Sequence, residues 1–222
     1  MPRNRADELT KSLLACGVLG GFGFIAVFLI AGAIRPYYRP LYHHVSPLSL
    51  GHDGWIQISN FVVTGILIIA CALGLRRALS SGRGSTWGPI LVGMFGLGLI
   101  GAGAFVTDPG FGYPPGTSSG VPTTITWHGN LHNLFSLVVF ASLAAACFVF
   151  TRRFYSEPRD GKWAMYSFVT GVAVPAFLVA SSVALFTGGY AGLFQRLSIG
   201  AGWLWIGLLA IRTTRRLSRA SD

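Results

Sequence analysis

Residues 12–34 read SLLACGVLGGFGFIAVFLIAGAI, twenty-three positions between Lys11 and Arg35 without a formal charge. A helix rises about 1.5 Å per residue, so this stretch reaches across a hydrocarbon core of ~30 Å. The pattern recurs: 22 uncharged residues separate Asp53 from Arg76, and 24 separate Arg83 from Asp108. Beyond Asp108-Pro109 the segment GFGYPPGTSSGVPTTITW holds too much Pro, Gly, Ser and Thr for helix, and the apolar run resumes from Gly129 to Thr151. From Lys162 to Arg212 the chain is apolar over the length of two helices, broken at Gly188-Gly189. The sequence therefore predicts an all-α membrane bundle, one domain over 1–222, with transmembrane helices at about 12–34, 54–75, 87–107, 129–151, 163–187 and 192–211.

Composition supports this reading. The chain is 52% hydrophobic and 11% charged with a mean hydropathy of +0.58; an ordinary soluble domain carries roughly a quarter charged residues. Lys and Arg number 17 against 7 acids, a net charge of +10. Spread over a soluble fold, that excess would suggest nucleic acid as a partner. Here it falls in clusters at alternate connections: Arg3, Arg5 and Lys11; Arg76, Arg77 and Arg83; Arg152, Arg153, Arg159 and Lys162; Arg212, Arg215, Arg216 and Arg219. Basic residues stay on the cytoplasmic side, so both termini are expected in the cytoplasm, the membrane is expected to be the plasma membrane, and the partners are lipids rather than nucleic acid. Arg35, Arg39 and Arg196 break the rule. The first span starts basic, as a signal peptide does, but it is too long and lacks a small-residue cleavage site before Arg35-Pro36. Cys16, Cys71 and Cys147 fall within spans and read as small core residues.

All five histidines, His43, His44, His52, His128 and His132, fall on the predicted outer side together with Asp53 and Asp108. His128 and His132 are four apart in a helix, so their imidazoles differ by about 40° in direction and lie one turn apart, a spacing that a zinc ion accepts. His43 or His44, His52 and the two acids are the candidates for its remaining ligands, and imidazole with carboxylate favours zinc over magnesium. Haem would need a partner for this pair from His43, His44 or His52, because two histidines on one helix face cannot take opposite sides of the ring. In the second span Gln57, Asn60 and Thr64 form a polar stripe, read either as helix-to-helix hydrogen bonds or as a pocket wall. Arg196 falls one turn inside the outer boundary, with Asp108 as the expected ion partner and Asp53 as the second choice; beside Gln195 it also suits a lipid phosphate or carboxylate. Residues 109–126 read as a lid over the bundle mouth, and Trp55, Tyr113, Trp127 and Tyr190 as interfacial anchors.

The succession Arg35-Pro36, SPLSLGHDGWIQISNF, GLRR, TDPGFGYPPG, WHGNLH and GLFQR resembles the bacterial and archaeal domain-of-unknown-function family nine-nine-eight over nearly the whole chain. The resemblance implies a six-helix integral membrane protein and no particular reaction. A more distant likeness to the alkaline ceramidase and progestin-and-adipoQ receptor superfamily is an analogy only: its members hold zinc through histidines at this spacing, but they have seven spans. The residues favour binding of a lipid or partner at a polar outer mouth, through Gln57, Asn60, Gln195 and Arg196. The alternative is a metal-dependent hydrolase of a lipid or lipid-linked substrate, with Asp53 and Asp108 as catalytic carboxylates and His128, His132, His52 and His44 around the metal. Transport ranks last, since no acid lies near a span centre.

Overall fold

The computed structural model describes residues 2–79, 81–120, 122 and 124–221. Its helices are α1 (Pro2–Ile34), α2 (Gly54–Ala78), α3 (Trp87–Ala104), α4 (Trp127–Tyr155), α5 (Gly161–Thr187) and α6 (Ala191–Ser221), with a short 3₁₀ turn at Ser46–Ser49. All six helices are long and apolar enough to cross a membrane. Each packs on its neighbours in sequence, and α6 returns to α1, closing a ring.

The centre of the ring is filled. Trp203 of α6 stacks on Phe24 of α1 at 5.2 Å between ring centroids and meets Phe95 of α3 edge-on at 4.8 Å, with Phe140 of α4 at 6.1 Å. These rings form an aromatic axis along the centre of the bundle. Around it the helices approach closely through small residues, as lipid-embedded helices do. At the α2–α3 crossing, a Cβ on Gly65 would sit 2.6 Å from the Gly96 carbonyl oxygen, and one on Gly96 would sit 2.7 Å from that of Gly65. Large apolar residues such as Leu19, Ile30, Ile66, Leu97 and Val179 stay exposed on the outside, where acyl chains are their natural neighbours.

The helices run longer than the apolar intervals where the added residues have partners. Beyond Ile211, α6 continues because Arg212 and Arg216 both pair with the buried carboxylate of Asp160, and Arg216 also reaches Glu157 Oε2 at 2.6 Å. Arg212 lies over Trp163 and Phe154, 4.7 and 4.9 Å from their centroids. Burial alone would raise the Asp160 carboxyl, but the hydrogen bond from Arg212 and the charges of both arginines hold it below the usual range. This network ties the α4–α5 turn to α6 at one end of the bundle, the arginine end. The expected span 87–107 instead stops at Ala104: Phe105 is extended, and the freed carbonyls at the helix terminus accept from a side chain of α4. At this opposite end, the histidine end, residues 35–53, the loop 105–126 and the turn at Gly188 come together.

Candidate functional site

The eleven residues 35–45 between α1 and the 3₁₀ turn form no helix or strand, so much of their backbone needs partners from side chains. Two arginines provide them. The guanidinium of Arg35, at the end of α1, donates to the carbonyls of Leu50 (3.1 Å), Leu48 (3.3 Å) and Asp53 (2.8 Å). Arg196 of α6 donates to the His43 carbonyl at 2.9 Å and to Tyr38 Oη at 2.6 Å, and that hydroxyl donates to the His44 carbonyl at 2.6 Å. Between the two clamps Gln195 Oε1 accepts from the Val45 amide at 2.7 Å. The first amides of α6 complete the arrangement, Gly192 and Leu193 donating to the Tyr42 and Leu41 carbonyls. Held in this way, the 3₁₀ turn presents Ser46 to α4.

There Ser46 Oγ lies 2.9 Å from His132 Nε2. The other ring nitrogen, Nδ1, is 2.8 Å from the Phe105 carbonyl oxygen and 3.0 Å from that of Ala102. A second pair of the same kind stands nearby, His44 Nε2 to Ser181 Oγ at 2.9 Å, with Ser181 donating its own proton to the Ala191 carbonyl. Ser181 is fully buried, while Ser46, His132 and His44 border a cleft of about 420 Å³ between α4, α5 and the loops. Its polar end includes His43, His44, Asp108, His132 and Gln195, and its apolar wall includes Leu137, Phe140, Leu178, Leu185 and Phe186. Leu137 and Phe186 are 61% and 70% exposed, so the apolar side opens between α4 and α5 toward the surroundings of the bundle. Burial, with Arg39 close by, lowers His43 below the ordinary imidazole range, and burial, with the charge of Arg196, brings His44 down to about 4. Both are therefore neutral at pH 7, so that beside the Asp108 carboxylate, which Thr126 engages, the rim offers uncharged donors and acceptors.

From the segment expected as a lid, Gly110, Phe111, Pro122 and Ile125 line the cleft. Tyr113, expected as an interfacial anchor, is 3% exposed and wedged against Tyr38 and His43, each ring centroid 5.4 Å away. The surrounding Gly and Pro residues let the loop turn inward and bury a ring that sequence alone assigns to the surface.

Of the residues singled out from the sequence, His43, His44, His132, Asp108 and Gln195 meet at this cleft. The others do not. His128 stacks on Trp127 at the exposed start of α4 while His132 spends both nitrogens on protein groups, so the two imidazoles have different surroundings. His52 is exposed and bonds only Asp53, whose carboxylate is likewise at the surface and caps no amide of α2. Among the described residues, no three His, Cys, Asp or Glu side chains gather as a metal would require. Asn60 Nδ2 donates to the Phe24 carbonyl of α1 at 3.1 Å, the helix-to-helix form of the polar stripe, and to Gln57 Oε1 at 3.4 Å, while Gln57 Nε2 is buried without a partner.

The expected Asp108–Arg196 pair is replaced by two separate networks. Asp108 accepts from the Thr126 amide at 2.9 Å and its hydroxyl at 2.7 Å, and Thr126 Oγ1 in turn caps α4 by accepting from the Gly129 amide. The carboxylate lies where a Cβ at position 129 would be, which explains the glycine in WHGNLH. Arg196 instead neutralises carbonyl dipoles and packs near Phe28 and Tyr38. Sequence reading missed Arg35, Tyr38 and Ser46 as parts of the site; for Arg35 the signal was present, since it breaks the distribution of basic residues.

Six membrane-length helices closed around an aromatic axis, with an amphipathic cleft at one end, define a multi-pass helical membrane protein. The chain belongs to the family described as Protein of unknown function (DUF998), whose match covers residues 18–212. No curated protein and no solved structure matches it.

Proposed function

We propose that the protein lies in the plasma membrane with both termini cytoplasmic and binds one lipid with an uncharged polar group in the cleft at its outer end. The observation that carries this reading is the gradient within a single cavity of about 420 Å³, from hydrogen-bonding groups at the rim, where the Asp108 carboxylate is already engaged by Thr126, to a wall of Leu and Phe side chains on α4 and α5. An acyl tail entering between α4 and α5 exchanges lipid neighbours for protein ones, and the rim then receives the polar group without an ion pair. The orientation rests on the arginine clusters at the other end. A reporter fused after Asp222 is expected to read cytoplasmic and one inserted near Ser118 external; the reverse would invert the site.

The occupant can be located by photo-cross-linking. An uncharged acyl lipid carrying a diazirine in its tail, irradiated with the protein in nanodiscs, is expected to mark peptides of α4 and α5 around Leu137 and Leu178. Adducts confined to α1–α3 would contradict the assignment.

A further inference from the structure

We infer that Ser46 and His132 form a nucleophile–base pair that cleaves a carboxylic ester of the lipid bound in the cleft; the inference rests on the lipid-binding reading above. Proton positions decide the matter, and the backbone fixes them. Carbonyl oxygens only accept, so the Nδ1 atom of His132, facing the Ala102 and Phe105 carbonyls, must carry the ring proton. Nε2 then holds its lone pair toward Ser46 Oγ at 2.9 Å, and the hydroxyl donates to it. That is the arrangement a base needs to take the proton from an attacking serine, with two backbone carbonyls in the orienting position where a carboxylate often stands.

The neighbouring His44–Ser181 pair has the same length and the opposite polarity. Ser181 gives its proton to the Ala191 carbonyl, so His44 Nε2 must be the donor, and Ser181 has no base. Of the two serine–histidine pairs, only Ser46–His132 has its hydroxyl activated by a base and facing the cleft; Ser181 is fully buried. Gln195 supplies a further element. Its Oε1 is fixed by the Val45 amide, which can only donate, so the side chain turns its NH₂ group to the remaining side, where Gln195 lines the cleft beside Ser46. Such a donor suits the negative charge that develops on an attacked carbonyl oxygen. Beneath it a space of about 30 Å³ bordered by Ser46, Ser136, Gln195 and Trp203 has room for water. Trp203 Nε1, buried and without a partner, is a donor available to that water.

The reaction balances with water alone. Ser46 Oγ bonds to the ester carbonyl carbon while its proton passes to His132 Nε2. The carbon–oxygen bond to the alcohol breaks, and His132 returns the proton to the departing alkoxide. Water then adds to the acyl-serine, giving a proton to His132; the acyl–Oγ bond breaks, the fatty acid leaves, and Ser46 regains its proton.

The test uses the full chain in nanodiscs with an alkyl fluorophosphonate, whose phosphorus takes the serine oxygen as fluoride leaves. Mass spectrometry is expected to place one adduct on Ser46 of the wild-type protein, with chelator present or absent. Labelling should disappear in Ser46→Ala, fall by about 100-fold or more in His132→Gln, which retains a donor and an acceptor, and persist in Ser181→Ala. Wild-type protein that takes no adduct at Ser46, or labels at Ser181 instead, overturns the inference without requiring any variant to fold. The diazirine cross-link separates the two readings. If it still marks α4 and α5 while Ser46 stays unlabelled, lipid binding stands and ester cleavage falls; if it is lost as well, both fall.

Discussion

Arg196→Leu is expected to lower the stability of the folded protein by about 2–5 kcal/mol, read from unfolding of the detergent-solubilised protein in increasing denaturant. The guanidinium supplies donors to the His43 carbonyl and to Tyr38 Oη, and the tyrosine in turn holds the His44 carbonyl. Each buried acceptor left without a donor costs ~1–3 kcal/mol, and loss of the clamp frees the whole segment leading to Ser46. Arg196→Lys should recover only part of this, because one ammonium cannot span the carbonyl and the phenol as the fork does. Asp108→Asn acts through a different contact, the cap on α4, so combining it with Arg196→Leu should give the sum of the two costs within about 0.5 kcal/mol. A double variant much less destabilised than that sum would restore the direct ion pair and contradict the networks described here.

The second large effect concerns the apolar wall. Leu178 and Leu185 are seven residues apart, two turns along α5, and both line the cleft. Replacing both with tryptophan places two indoles across the path of an acyl tail and is expected to reduce bound lipid at least tenfold, a loss of about 1.4 kcal/mol or more. Both side chains are only partly buried, so the substitution crowds the cleft rather than the aromatic axis at Trp203, and the folded bundle should persist.

The fold was legible because charge is expensive in hydrocarbon. Intervals free of Lys, Arg, Asp and Glu located all six helices, and the Gly188-Gly189 break separated the last two. What escaped were helix ends held by tertiary partners. Uncharged length cannot show that Arg212 and Arg216 continue α6 toward Asp160, or that His132 collects the carbonyls that end α3. The site was legible in part for the same reason. Polar residues near a span are few, so reading them yielded His43, His44, His132, Asp108 and Gln195. Helical spacing also placed His128 with His132, yet spacing describes one helix only, and the partners of His132 come from α3 and the 3₁₀ turn. Arg196 was sought beside an acid because opposite charge is the commonest partner of a buried guanidinium; in this chain irregular backbone brings enough carbonyl dipoles to take that role. Ser46 carries no signal in the sequence, since its chemistry depends on which proton His132 holds.

Native mass spectrometry of the protein released from detergent tests most directly the reading of the cleft as a lipid site. The wild-type chain is expected to retain one lipid of a single class, with the Leu178→Trp, Leu185→Trp double variant retaining at least tenfold less. A wild-type chain free of lipid under conditions that preserve the folded bundle, or a double variant that keeps the same lipid at the same ratio, would contradict it.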